Sequence, residues 1–393
     1  MEVFHYFLWL FLFFTLSSIQ SSEPKKRYKI LIPIPCHGGE AEMAIKVETA
    51  ARSLGWEAQA FYFANSWGFN YPFDFNRSIK PFEIPKQRPN YLSKVIEDFQ
   101  PDFFLCYDPN FYSPRSSKIP HYLVLSRPLY LEKKPFSACS YNGKCRKRLL
   151  EFDGILCVPN NQNRLDAFLK FYEKKIPSIL WTHTSMKTTY HPLQTKKVFY
   201  TLSTWDHLRS SEPYKEFLKK LDEYKLVEFW GPENRDNYSC YRGLLPIDGN
   251  SLIEAIRNCG IALILHSQEH LDGGVITGRI FEAAAAGSVI ISDKHEFVEK
   301  EFGDTVLYLD IDKDHKLTGE KMFEQIYAHL MWIFSHPKEA EEKARKAHKI
   351  FDDKFTLEAQ LERLGEFYEN VKSNSYLTPP EGFETRFLKG KNK

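Results

Sequence analysis

The sequence has no Cys-x-x-Cys pair and its 13 histidines are scattered, so no stretch has the spacing of a zinc site. It has little excess charge, a formal net charge of +2 over 393 residues with a pI near 8.0. No arginine-rich or aromatic-interleaved basic segment occurs, which argues against nucleic acid as the main partner. The densest basic run, Lys144-Cys145-Arg146-Lys147-Arg148, is short, and reads as a solvated loop or helix start ahead of an acceptor or lipid contact. Internal repeats and long low-complexity tracts are also missing, which excludes solenoids and fibrous arrays.

Long apolar runs are missing too, except at the start. Residues 3–19 are nearly all apolar and rich in Phe and Leu, so residues 1–22 are read as a signal or membrane anchor. A cleavable signal has a basic leading region, whereas here that region holds Glu2 and no Lys or Arg. The positive charges follow instead, at Lys25, Lys26, Arg27 and Lys29, and the positive-inside rule keeps that side in the cytoplasm. The expectation is an enzyme on the cytoplasmic face of a membrane, with export after cleavage within Ser17 to Ser22 as the alternative. Of the seven cysteines, Cys36, Cys106, Cys157 and Cys259 lie in or beside strand-like runs and suit a reducing compartment. Cys139 and Cys145 flank a Tyr141-Asn142-Gly143 turn and could pair in an exported protein.

What is present is a strand-helix rhythm over a chain about twice a typical domain length, 43% hydrophobic and 15% aromatic. Lys29 to Pro35, Glu40 to Leu54 and Glu57 to Phe63 form a βαβ unit. A second series starts with a strand at Lys197 to Leu202, after a polar stretch from Thr182 to Lys196 that reads as the domain join. The fold class expected is α/β, two Rossmann-like doubly wound domains facing a cleft. The domains are read as 27–190 and 191–355, with a cross-over helix at 356–373 and a flexible tail at 374–393. The charged stretch Pro337 to Lys349 reads as a solvated amphipathic helix. The aromatic, proline-bearing segment between Asn65 and Pro89 fits neither helix nor strand period. It suits a sugar-acceptor loop or an ordered surface loop.

The most informative segment is Gly260 to Asp293. Gly260-Ile261-Ala262-Leu263-Ile264-Leu265 is a buried parallel strand, and His266 to Gly278 a ligand-facing loop. A helix then begins near Thr277 or Gly278, whose small side chains leave its first N–H groups open to an anion such as diphosphate. Arg279 and Glu282 lie one turn apart on that helix and either serve a ligand or pair with each other. Ala283 to Ala286 remove side-chain bulk, Gly287 ends the helix, and Val289-Ile290-Ile291 is the next strand.

The pattern Arg279-x-x-Glu282-Ala283-x-x-x-Gly287 followed by an apolar strand resembles the donor-binding segment of GT-B glycosyltransferases, group 1, especially the spore-maturation-type branch. The resemblance spans Phe229 to Asp310, and the amino-terminal half shares only the βα order. It implies that Glu282 contacts the ribose of a nucleotide-diphosphate sugar, that Arg279 opposes the diphosphate, and that Arg209 with Ser203 or Thr204 adds a phosphate contact. It also implies no cofactor and no essential metal. Asp310-Ile311-Asp312 has the letters of a metal triplet, but lies past a strand away from the donor loop. Many related retaining enzymes carry a second glutamate where this chain has Gly274, while Glu269 and Asp272 are out of register. The donor sugar and the stereochemistry are therefore not carried over. His266, at the end of its strand, serves either sugar or phosphate, or the structure alone.

The loop Cys36-His37-Gly38-Gly39-Glu40 follows the first strand, where open α/β sheets place ligands. It is a tight turn or a site, and His37 and Glu40 are its candidates for acid-base work on an acceptor hydroxyl. The expected activity is sugar transfer to an unknown glycan, lipid or protein acceptor. A two-domain solute-binding protein without catalysis and a nucleotide-sugar epimerase are the alternatives.

Overall fold

Short apolar runs separated by helices build two fully parallel sheets. The computed structural model describes residues 26–34, 38–63, 82–84, 91–107, 119–125, 149–158, 162–171, 173–193, 197–202, 208–232, 234, 236–311 and 317–373. The expectations for residues 1–22, His37, Ser203, Thr204, Cys36, Cys139, Cys145, the basic run at 144–148 and the tail lie outside them, as does most of the aromatic segment 65–89. Among the described residues no helix is long and apolar enough to cross a membrane.

The first sheet holds β1 (Lys29–Pro33), β2 (Glu57–Phe63), β3 (Phe82–Ile84), β4 (Phe103–Cys106), β5 (His121–Leu125), β6 (Gly154–Cys157) and β7 (Ser178–Leu180), in the order β3-β2-β1-β4-β5-β6-β7. The second holds β8 (Lys197–Thr201), β9 (Val227–Trp230), β10 (Tyr241–Gly243), β11 (Gly260–Ile264), β12 (Val289–Asp293) and β13 (Val306–Leu309), in the order β10-β9-β8-β11-β12-β13. Both orders reverse direction beside the first strand of the sheet, which is the doubly wound arrangement and opens a crevice at the carboxyl ends there.

The helices explain the hydrophobic runs. α1 (Gly38–Ser53), α2 (Tyr91–Phe99) and α3 (Gln162–Phe171) accompany the first sheet; α4 (Glu212–Glu223), α5 (Ser251–Cys259), α6 (Gln268–Gly273), α7 (Arg279–Ala286) and α8 (Glu296–Phe302) accompany the second. Three helices follow: α9 (Gly319–Ser335), α10 (Pro337–Lys354) and α11 (Leu357–Ser373). Central strands such as Phe103–Cys106 and Gly260–Ile264 are buried at every residue, because helices cover both faces of each sheet.

α10 is the amphipathic helix expected at Pro337 to Lys349, extended to Lys354. It buries Ala340, Ala344, Ala347, His348 and Phe351, a stripe at helical spacing whose small alanines are masked by the surrounding charges. α11 returns to the first sheet, where Leu357, Leu361, Leu364, Phe367, Tyr368 and Val371 join the core around Tyr28 and Tyr122. At Gly365 this helix runs so close that a Cβ would lie 2.5 Å from the Tyr28 ring, whose hydroxyl donates to the Gly365 carbonyl at 3.3 Å.

The polar stretch after Thr182 is not a loose hinge. Gln360 accepts from the Thr182 backbone at 2.6 Å and donates back to its carbonyl at 3.3 Å. Thr184 donates to the Phe355 carbonyl at 2.7 Å, and Leu357 N–H donates to the Ser185 carbonyl at 2.9 Å. Periodicity has nothing to detect in such a segment, because its order comes from pairing with α10 and α11 more than 100 residues later.

Candidate active site

β11 and β12 bring the functional segments to the carboxyl end of the second sheet. The loop expected from His266 to Gly278 contains a short helix, α6, capped by the Ser267 hydroxyl accepting from His270 N–H at 3.2 Å. Gly273 and Gly274, which end it after six residues, hid that turn of helix. Val275, Ile276 and Thr277 are buried, and Gly278 caps α7. A Cβ on Gly278 would approach the His183 carbonyl oxygen to 3.0 Å, so a side chain here would have to press the connecting segment outward by a few tenths of an ångström. Ala283 to Ala286 are all buried, packed with α5 and with Ala347 and Phe351 of α10, and Gly287 ends the helix in the left-handed conformation.

Glu282 and Arg279 do pair through Oε2 and Nη1. The other carboxylate oxygen is taken from across the cleft: Lys46 of α1 donates to Glu282 Oε1 at 2.6 Å. Burial alone would raise the Glu282 carboxyl, but Arg279 and Lys46 outweigh it and hold the pKa at about 2. The Lys46 side chain is completely buried, and that of Arg279 stays 35% exposed. Glu42, one turn before Lys46, accepts from Gly249 N–H at 3.0 Å and lies 3.7 Å from the Lys46 ammonium. Burial pushes its carboxyl up.

His266 is not a lone histidine. Its Nδ1 is 2.7 Å from Asp293 Oδ1, its backbone N–H also reaches that carboxylate, and its ring stacks on His295 at 4.6 Å. Arg209 donates to the Leu265 carbonyl and lies beside His270 and Asp293. His183, from the connecting segment, faces this group from the other side: burial lowers its pKa, while Glu40 and Glu282 oppose that fall. Glu40 is half-buried in the first turn of α1. Thus Arg279 and Glu282 meet Lys46 of the first domain, and His183 lies within electrostatic reach of Glu40, Glu282 and His270, which in turn lies beside Arg209 and His266. Among the described residues no three His, Cys, Asp or Glu side chains are grouped so that they could hold a metal ion.

Lys46 and His183 went unread. Lys46 sits at a position that a helical wheel assigns to solvent, and it is buried because α1 lies between its own sheet and the second domain. His183 falls in a stretch without period.

The fold is that of GT-B glycosyltransferases. Residues 209–366 match the family model described as glycosyl transferase-like. Among solved structures, the sucrose-phosphate synthase of Thermosynechococcus elongatus is similar at 10% identity and a TM-score of 0.55, covering 89% of this chain and 100% of that one. The pneumococcal O-GlcNAc transferase GtfA, in complex with UDP and GlcNAc, is similar at 9% identity and a TM-score of 0.58, covering 88% and 99%. A trehalose-6-phosphate protein from E. coli bound with UDP-2-fluoro glucose is similar at 11% identity and a TM-score of 0.53, covering 87% and 99%. No curated protein matches the chain by sequence. In this GT-B fold the matched segment contains every candidate donor residue from Arg209 to Glu282.

The histidines give the fold a pH dependence. Burial and the neighbouring His266 push His270 down to about 3 and His295 down to about 4. The unfolded chain binds protons that these rings refuse, so stability falls as pH drops from about 6.5 toward 4, by about 2 kcal/mol per histidine at pH 5. Glu42, whose carboxyl is raised, acts in the opposite sense. The histidine share is therefore read from His295→Asn, which keeps the acceptor that caps Phe297 N–H. The Tm difference between pH 7 and pH 5 is expected to shrink in that variant, and an unchanged difference would remove His295 from the account.

Proposed function

We propose that this GT-B protein moves a sugar from a nucleoside-diphosphate donor to a hydroxyl-bearing glycan, lipid or protein acceptor, and that it belongs to the spore-maturation-type branch. The observation that carries the reading is the coincidence of the glycosyl transferase-like match over 209–366 with a carboxylate and a guanidinium at the start of α7. Glu282 accepts the ribose hydroxyls, a task suited to a group with no donors of its own. Arg279, with part of its guanidinium exposed, and Arg209 stabilise charge on the departing diphosphate together with the first N–H groups of α7. The reaction needs no cofactor in this reading. His37 and Glu40 serve the acceptor hydroxyl, with His183 facing Glu40 and Glu282. The apolar residues 3–19 hold the enzyme at the cytoplasmic face of a membrane, where an N-terminal deletion should move it to the soluble fraction.

Two fold relatives were solved with UDP or a UDP-sugar, which makes UDP-sugars the first donors to test, followed by GDP, dTDP and CMP sugars. Thermal-shift binding with purified residues 23–393 is expected to show stabilisation by one of them, lost in Arg279→Ala. No shift with any nucleotide sugar, in a folded protein, would sink this reading and move the solute-binding alternative ahead of it.

A further inference from the structure

The Glu282 carboxylate is already satisfied before any donor arrives. Lys46 covers Oε1, Arg279 covers Oε2, and the side chain keeps only 7% of its surface. A ribose would reach Glu282 by donating two hydroxyl hydrogen bonds, and the Lys46 ammonium supplies donors of the same kind to the same oxygen. An ammonium at 0% exposure does not leave its carboxylate for nothing, since a buried charge without a partner is strongly disfavoured. A second carboxylate is within reach. Glu42 lies 3.7 Å from the Lys46 ammonium, and its Oε2 is buried without a hydrogen-bond partner. Its other oxygen is anchored from the opposite domain by Gly249 N–H, so this acceptor is held in place.

We infer that Lys46 is an internal competitor for the donor's ribose: it occupies Glu282 in the empty enzyme, and a nucleotide enters by shifting it onto Glu42. This rests on Glu282 being the ribose contact. The exchange keeps every charge paired, because Arg279 stays on Glu282 while Lys46 moves within its own helix turn. It also makes the affinity for nucleotide depend on α1, an element of the domain that does not otherwise hold the donor. Lys46 is here a positioning residue that sets how readily Glu282 is released.

The test is calorimetric titration of UDP, GDP and ADP into the wild type, Lys46→Met, Glu42→Gln and Glu282→Ala. Removing the competitor should tighten the nucleotide that binds by about tenfold in Lys46→Met, as expected when a binding-competent state ceases to be the minor one. Glu42→Gln keeps an oxygen for Gly249 and the whole Lys46–Glu282 pair but loses the charged alternative, so it should weaken binding several-fold. Weaker binding in Lys46→Met means that Lys46 braces the site, and overturns the competition. Should Lys46→Met not fold, Glu42→Gln decides alone: unchanged or tighter binding overturns the proposal. Glu282→Ala separates the two levels. Unchanged binding there, or no binding of any nucleotide by any variant, overturns the ribose assignment itself.

Discussion

Glu282→Gln is expected to abolish donor binding and to lower the stability of the fold by about 1–3 kcal/mol, less than the loss of a buried ion pair with no substitute partner, because Glu42 stands within reach of Lys46. An amide fills the same space but offers one acceptor where two cations converge. Either Lys46 or Arg279 would then face an NH2 group. Arg279 can turn to water, since its side chain is partly exposed, whereas Lys46 can fall back only on Glu42, 3.7 Å away. The double variant Lys46→Met with Glu282→Gln should recover part of the lost stability while leaving binding abolished, because the displaced buried charge is gone. Chemical denaturation and nucleotide titration on the same samples read both effects. A Glu282→Gln protein as stable as the wild type would mean that the cross-cleft pair contributes nothing to the fold.

Asp293→Ala is expected to destabilise by more, about 3–5 kcal/mol. The Asp293 carboxylate takes the His266 backbone N–H at 3.1 Å and its ring Nδ1 at 2.7 Å, all of it buried. Burial would raise this carboxyl, yet the His266 contacts lower it. Without it, two donors remain in a dry site where His295 stacks on one face of the His266 ring. Asp293→Asn keeps an acceptor for the backbone and should cost much less. Equal losses for alanine and asparagine, measured by denaturant midpoint, would show that the charge rather than the acceptor count matters.

What the chain disclosed about itself follows the range of the interactions involved. α7 was legible because everything that makes it a helix lies within a dozen residues: the glycine before it, four alanines and the glycine after it. Strands such as Gly260–Ile264 were legible from their apolar runs. β3 and β10 were not, having three residues each and taking their identity from the neighbouring strand. The pairing of Arg279 with Glu282 could be posed from their spacing, but not the arrival of Lys46, whose partner stands 236 positions away. His266 shows the same limit, since a histidine and an aspartate 27 residues apart become a pair only when two parallel strands set their ends side by side.

The last helix has a consequence for how this chain is made. α11 fills the aromatic centre of the first sheet, with Gly365 against Tyr28 and Phe367 beside Tyr122. The opening half of the polypeptide therefore leaves the ribosome without the piece that completes its interior. That piece is synthesised only after the second sheet, so the first domain waits, partly uncovered, while the second is built. A fragment cut at the connecting segment would inherit the same exposed face, and neither half should behave as an independent product of a single cut.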